Sequence, residues 1–496
     1  MQVQALYVPI VFLGVYESVV VLLQLTQVLP AHSGFFSTTG SGSNPNITAM
    51  IICLAVPACV EMVMRAQKRF RYLNAGFLVL MIAAIVATQC RSALLALLCV
   101  AVFFLIDFFR QITSKTLRYT LLVVPILLLV TFMVYFQQKK DSGNGRLTIW
   151  QLSGELIAEN PISGYGYGYF EKAYNLHQSE YFSTTLTGEK ARMNASYTGM
   201  AYNEYLEQSV MGGLVGGALF LLLVLGWLWS GFRQRRRAWA PFAGVLCFGI
   251  MSLFNFTVAY PMLLLFFFFY GAIISQDAAF QDPSPVSMMV DTKNGYKKQG
   301  AGKPLRLPLR HKPLMLVASL AGVVFVVLSL QKYDAQRELT KAERLLKSGR
   351  IIQAAALLKS IEPHISTSEA FYTTKATCCM ISKDWTHARL ALLDALQYTS
   401  NPGLMQQLAM VSSRLGRFDE AARYLQVVCG MEPHLFLPRM YLLGLYEHTA
   451  QTEKANAQAK EIVAMKPKFD SEQVQRYKKR AAEVLLSHAK APSQTL

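Results

Sequence analysis

Continuous apolar runs long enough to cross a bilayer, which takes about 20 residues, recur through the first two-thirds of this 496-residue chain. No other feature limits its fold as strongly. Backbone inside hydrocarbon must satisfy its own hydrogen bonds, so such runs are expected as helices. Nine spans are read, at roughly residues 5–29, 47–64, 73–89, 92–109, 117–135, 208–230, 239–255, 258–275 and 313–331. Composition agrees: 53% of residues are hydrophobic and 16% charged, where an ordinary soluble protein has about 25% charged. The last third, by contrast, has soluble composition.

The net charge of +18 would suit nucleic acid, but its placement argues against that partner. The excess sits beside apolar runs, in clusters at Arg65, Lys68, Arg69 and Arg71; at Arg110, Lys115 and Arg118; at Arg233 and Arg235 to Arg237; and from Lys293 to Lys312. This is the positive-inside pattern of cytoplasmic loops. All four clusters agree on one threading, with the N-terminus inside. The loop 30–46, the turn near Arg91, the loop 136–207 and the C-terminal tail then lie outside. The first run lacks a basic leader and is long for a signal peptide, so it is expected to be a retained span. None of the eight cysteines has CxxC spacing, so no disulfide framework, zinc site or other metal site is expected.

Beyond the membrane domain, 1–275, the segment 276–312 is rich in Pro, Gly, Ser and Lys and is expected as a flexible cytoplasmic linker, followed by the last span, 313–331. Residues 332–490 repeat. In KSGRIIQAA, SKDWTHARL, RLGRFDEAA and TAQTEKANA, Ala354, Ala388, Ala421 and Ala455 fall 34, 33 and 34 residues apart. A helix-turn-helix period of that length, with a small residue at the helix crossing, resembles the tetratricopeptide repeat. Stacked pairs of this kind form a concave surface suited to a protein partner. The fold class expected is all-α: a polytopic transmembrane bundle of about nine spans, a long external loop, and a C-terminal TPR-like α-solenoid.

The stretch Gly145–Gly213 is polar, aromatic and glycine-rich in the middle of an apolar chain, and loops of that length are usually functional or disordered. Its aromatic content argues against disorder. GRLTIWQLSGELIAENP is expected as a helix ended by Pro161, with Leu147, Trp150, Leu156 and Ile157 on one face. If Arg146 opens that helix, free N–H groups there could meet an anion. Arg91 interrupts two apolar runs, where a buried cation costs about 2.5–3.5 kcal/mol, and it sits on the external face against the charge bias. Two arginine forks converging from separate segments would suit a diphosphate. The run 164–170, GYGYGYF, is no nucleotide loop. Either its glycines and tyrosines meet a glycan-lipid, or it is a tight turn with interfacial tyrosines.

Taken in order, RSALLAL, GR-x-x-x-W, ENP-x-x-GYGYG and AYNEYL running into GG-x-x-GG resemble the O-antigen ligase and polymerase superfamily, over about residues 42–275. GSNPNITA, 42–49, resembles its Asn-Pro-Asn segment. The resemblance implies a bacterial inner-membrane glycosyltransferase acting at the periplasmic side without metal, nucleotide or other cofactor. It would move a glycan from a polyprenyl diphosphate-linked donor to lipid A-core, as a ligase does. Extension of a polysaccharide and transfer to protein are the alternatives within the superfamily. The paired arginines that bind the donor would be Arg91 and Arg146. Family members usually have several further spans, which implies that this chain is short at its N-terminus.

One departure concerns the acceptor. The family commonly has a histidine where this chain has Tyr202, and a tyrosine with an ordinary pKa near 10 is a poor base. Glu204 and His177 are the substitutes considered, and a helix-start carboxylate favoured by the dipole is the plainer role for Glu204. The catalytic set expected is Arg91, Arg146, Tyr202 and Glu204. Substrate binding is expected from Arg91, Arg146, Trp150, Tyr165, Tyr167, His177 and Asn203. From other classes, a membrane scaffold presenting its repeats needs neither arginine. A transporter would need more charged residues within its spans.

Overall fold

The computed structural model describes residues 2–109, 140–185, 188–235, 238–279, 331–365 and 368–490, and every regular element among them is a helix. The chain divides into two compact units: Met1–Tyr174 with Thr198–Ser284, and Asn175–Tyr197 with Pro285–Leu496.

The first unit contains α1 (Gln2–Leu25), α2 (Pro45–Arg65), α3 (Lys68–Thr88), α4 (Arg91–Phe109) and α5 (Lys140–Glu159). The start of α6 (Phe170–Thr184), then α8 (Glu204–Gln234), α9 (Trp239–Ser252) and α10 (Pro261–Ala279) complete it. Ala5–Leu25, Pro45–Arg65, Lys68–Thr88 and Glu204–Gln234 are long and apolar enough to cross a membrane. Arg91–Leu105, Trp239–Ser252 and Pro261–Ser275 are apolar but shorter. The spans expected at 117–135 and 313–331, and the linker beyond Ala279, lie outside the described residues.

Two helices organise the packing: α2 contacts α1, α3, α4, α9 and α10, and α9 contacts α2, α4, α8 and α10. Small residues let these helices approach. The Tyr270 ring covers Gly244 of α9 and its hydroxyl donates to the Leu54 carbonyl at 2.7 Å. Phe248 and Phe267 stack beside it at 4.1 Å, a geometry that adds about 0.5–1.5 kcal/mol beyond area burial. The polar residues of α1 fasten the loop that follows. Gln24 accepts the Thr39 and Gly40 N–H groups at 2.8 Å each, and Glu17 accepts the Ser41 N–H at 3.0 Å. Asn44 then caps α2, with Pro45 at its first position.

The loop expected over 136–207 is largely helical where it is described. The helix expected to open at Arg146 begins by Lys140, so Arg146 lies in its interior with its N–H inside the helical ladder. The free-N–H anion site therefore falls away. Of the face expected, Leu156 is buried, together with Leu152 and Ser153, whereas Leu147 is exposed.

The second unit contains the rest of α6, α7 (Glu189–Asn194), a helix over 331–347 (α11), α12 (Ile351–Ile365), α13 (Glu369–Ile381), α14 (Trp385–Ala395), α15 (Pro402–Arg414), α16 (Phe418–Met431), α17 (Leu437–His448), α18 (Thr452–Ala464) and α19 (Glu472–Lys490). The helices from α13 onward pack against their neighbours in sequence, as in a solenoid. The four spaced alanines are each the fourth residue of a helix (α12, α14, α16, α18) and are almost completely buried. Five residues before each stands a left-handed residue: Gly349, Lys383, Gly416 and Ala450. The repeat thus persists in backbone geometry where its glycine has been lost.

Two outcomes follow for the full-length protein in detergent. A left-handed backbone costs a residue with Cβ roughly 1–2 kcal/mol, part of which glycine returns as unfolded-state entropy. Ala450→Gly should therefore raise the midpoint of repeat unfolding and Gly416→Ala should lower it, by about 0.5–1 kcal/mol each, as followed by circular dichroism. The second concerns Glu420, which the bidentate Arg389 guanidinium (2.6 Å) holds below the usual carboxylate range. A carboxylate with a lowered folded pKa stabilises fully above its unfolded pKa and loses that contribution as pH falls through the folded value. The unfolding midpoint should fall between about pH 5 and about pH 3, and Glu420→Gln should flatten that decline.

Candidate active site

Helix α5 carries Arg146 and Trp150 one turn apart, and its packing against α8 directs both at two non-helical segments. The Trp150 indole donates to the Ala201 carbonyl at 3.0 Å, and its ring lies 6.5 Å from Phe254. The Arg146 guanidinium donates to the Phe254 carbonyl at 2.9 Å and sits over the Tyr202 ring at 4.8 Å. Such a cation–π contact contributes about 0.5–2 kcal/mol, more as water is excluded. Burial lowers the pKa of Arg146; the Tyr202 phenol opposes that, and the Arg91 charge lowers it further. Arg91 stands half-buried at the first position of α4, beside Ser92. Two like charges held together favour an anion between them.

The segment that brings them together is the connection 253–260, between α9 and α10. The spans expected at 239–255 and 258–275 left no room for such a connection, yet several buried polar side chains bond to it. Asn255 donates to the Ser92 hydroxyl, next to Arg91. Ser252 and Thr257 share a hydrogen bond at 2.6 Å. The Glu204 carboxylate is buried at 2% exposure and accepts from the Val258 N–H at 3.0 Å and the Gln208 amide at 2.8 Å. Sequence reasoning missed this connection because LFNFTVAYP is mostly apolar. Its signal was the Asn–Phe–Thr interruption just before the helix-starting Pro261.

Tyr202 has φ of 53°, a left-handed conformation uncommon for a bulky residue. The residues around it hold it there. Glu207 accepts the Ala201 N–H at 2.9 Å, and Asn203 caps α8 by accepting the Leu206 N–H at 3.2 Å. The ring meets Phe256 at 5.8 Å. Asn203, expected to bind substrate, thus has its side chain on the start of α8.

The two glycine motifs explain one another. Helix α8 is broken at Gly213, with φ of 64° and ψ of −171°. The break frees carbonyls of Val210 and Met211, which accept the N–H groups of Tyr165 and Gly166 at 2.9 and 2.8 Å. In exchange the Leu214 N–H donates to the Pro161 carbonyl at 2.7 Å. A Cβ on Gly164 would come within 2.5 Å of this backbone, so only glycine fits. The Tyr167 hydroxyl end lies over Gly212 and Gly216 while the residue remains exposed. The Tyr165 hydroxyl donates to Glu159 at 2.5 Å; burial and that bond raise its pKa. Arg91, Arg146, Trp150, Tyr165, Tyr167, Tyr202, Asn203 and Glu204 all belong to the first unit, whereas His177 belongs to the second.

A Cβ on Gly213 would lie 2.1 Å from the Ile162 carbonyl oxygen. Gly213→Ala should therefore cost about 1–3 kcal/mol through clash and backbone strain. It should show as a lower unfolding midpoint in detergent and faster proteolysis at 160–168, while Gly226→Ala, which has open space, changes neither.

Residues 76–221 match the family model described as O-antigen ligase. No curated protein matches the chain. Among solved structures the chain is similar to MamA, at 16% identity over 32% of this chain and 81% of that one, with a TM-score of 0.24. It is also similar to YrrB, described as a TPR protein with an unusual peptide-binding site, at 17% identity over 31% and 90%, TM-score 0.25. A third is the APC/C hetero-tetramer Cut9–Hcn1, at 11% over 88% and 84%, TM-score 0.26. The matched residues hold both arginines, the glycine loop and the start of α8. Over residues 76–221 the chain is thus similar to the O-antigen ligase family, within a multi-pass membrane protein whose regular elements among the described residues are all helices and whose C-terminal repeats are TPR-like.

Proposed function

We propose that the first unit transfers a glycan from a polyprenyl diphosphate-linked donor to lipid A-core at the periplasmic face of the bacterial inner membrane. The observation that carries this reading is the convergence of Arg91 and Arg146, from α4 and α5, around the 253–260 connection. The donor diphosphate lies between the two guanidinium groups. The acceptor hydroxyl attacks the anomeric carbon; the new C–O bond forms as the bond to the diphosphate breaks, and the hydroxyl proton is released. Negative charge grows on the departing diphosphate, where preorganised cations stabilise it most. Tyr202 carries the Arg146 guanidinium on its ring, and Trp150 holds the 201–202 backbone beneath it. Tyr165 and Tyr167 present the rim of the glycine loop to the glycan, and the protein needs no metal or organic cofactor.

In this scheme Glu204 holds the 253–260 connection in place. A second surface belongs to the repeats. A cavity of about 810 Å³ lined by Gln407, Met410, Arg414, Tyr441, Leu445 and His448 suits a protein partner, and it keeps transfer to a protein acceptor as the alternative.

Arg91→Ala and Arg146→Ala should each lower transfer by about 10²–10³-fold with normal membrane insertion, and Arg146→Lys should restore only part, since a point charge lacks the bidentate fork. Full activity in either alanine variant sinks the clamp. For Glu204→Gln, the pH–rate profile should keep its shape while the rate falls; a lost acid limb would assign the acceptor proton to Glu204 instead. Gene deletion separates the acceptors: loss of lipid A-linked polymer with accumulated lipid-linked polymer supports the ligase. Single units left on lipid A indicate a polymerase, and bare glycoproteins beside normal lipopolysaccharide indicate a protein transferase.

A further inference from the structure

The second unit is discontinuous in sequence: the mid-chain segment Asn175–Tyr197 folds with the C-terminal repeats. Its contacts are specific. Gln178 is 1% exposed and uses its side-chain amide twice, donating to the Ser196 carbonyl at 3.1 Å and to the Met431 carbonyl at 2.7 Å. One buried amide thus joins both ends of the segment to the C-terminus of α16. Ser179 donates to the Val427 carbonyl at 2.7 Å, and Gly430 lies so close that a Cβ would sit 2.5 Å from the Ser179 carbonyl oxygen. Beyond α16, the His434 ring donates to the Ala195 carbonyl at 2.9 Å, and Glu432 accepts the Tyr197 N–H. At the surface Lys466 pairs with Glu189 at 2.8 Å.

The buried polar bonds matter most, because a buried donor or acceptor left unmade is costly. The Met431 carbonyl is at the end of α16, where helical partners run out, and Gln178 supplies one; Ser179 adds a second bond at the Val427 carbonyl one turn earlier. Tyr197 is followed directly by Thr198, and Tyr202, which carries the Arg146 guanidinium, lies five residues farther on.

We propose that the end of α16 and the turn after it form a clasp on Asn175–Tyr197, and that the clasp is a positioning device for glycan transfer. It holds both ends of the segment that runs on into Ala201–Tyr202, and it requires the repeats and the mid-chain segment to share one membrane face. Gln178, Ser179, Gly430 and His434 are its positioning residues. The activity arm of the test rests on the transferase reading; the structural arm does not.

The structural arm uses the full-length protein in membranes with Glu189→Cys and Lys466→Cys and a short, membrane-impermeant bis-thiol reagent. A protease site is introduced within 285–312. Fragments that stay joined after cleavage in the double variant, but separate in both single variants, are the expected result; separation in the double variant overturns the clasp. In the activity arm, Gln178→Ala with Ser179→Ala leaves the repeats untouched and should lower transfer at least about tenfold, as a misplaced group does, with faster proteolysis of 175–197. Closing the Glu189→Cys/Lys466→Cys pair covalently in that background should restore transfer, whereas a merely structural lesion would not recover. A fully active double-alanine variant, or failure of the cross-link to restore it, removes the positioning role while a formed cross-link keeps the clasp. An Arg146→Ala protein that remains active fails the transferase reading alone, without touching the cross-linking result.

Discussion

A helix that must break in apolar surroundings has to find partners for the backbone groups it releases, and α8 does so at Gly213. The exchange is reciprocal: Val210 and Met211 give up carbonyls to Tyr165 and Gly166, and Leu214 gives its N–H to Pro161. Without the loop the break would leave buried polar groups unpaired, at several kcal/mol each in hydrocarbon. Without the break the loop would have no backbone to join. The pairing places α5, which ends just before the loop, alongside the first turns of α8, and so fixes where Arg146 and Trp150 meet Ala201 and Tyr202.

Around that join Arg146 is held by an aromatic ring and a backbone carbonyl, while Ser92 and Asn255 tie the start of α4 to the same connection. In the proposed reaction, negative charge on the departing diphosphate is what the two arginines would stabilise. The buried Glu204 carboxylate is turned to Val258 and Gln208.

The repeats show the same economy of position over composition. Lys383 and Ala450 adopt the left-handed turn that Gly349 and Gly416 adopt, because the buried alanine five residues on and the helix pair around it dictate the backbone. Packing between neighbouring helices overrides a local preference worth about 1–2 kcal/mol. At α16 the solenoid also takes in a mid-chain segment, since carbonyls near its end accept from Gln178 and Ser179.

The apolar runs determined by themselves that the first part is helical and membrane-spanning, since length and hydropathy leave few alternatives. The 34-residue alanine spacing likewise determined the repeat, because small residues at helix crossings recur wherever helix pairs stack. Arg91 and Arg146 could be singled out as charges out of place. What the sequence could not show was anything depending on partners far apart in the chain. It missed the 253–260 connection, whose role rests on bonds to Ser92 and Glu204. It read the two glycine motifs separately, although each has meaning only as the other's hydrogen-bond complement. It placed Arg146 at a helix start, because apolar patterning marks a helix's buried stripe and not its first turn. Tertiary structure decided these points, for a physical reason: unsatisfied backbone groups and buried side-chain amides bond whatever folding brings near them, and sequence distance carries no record of that.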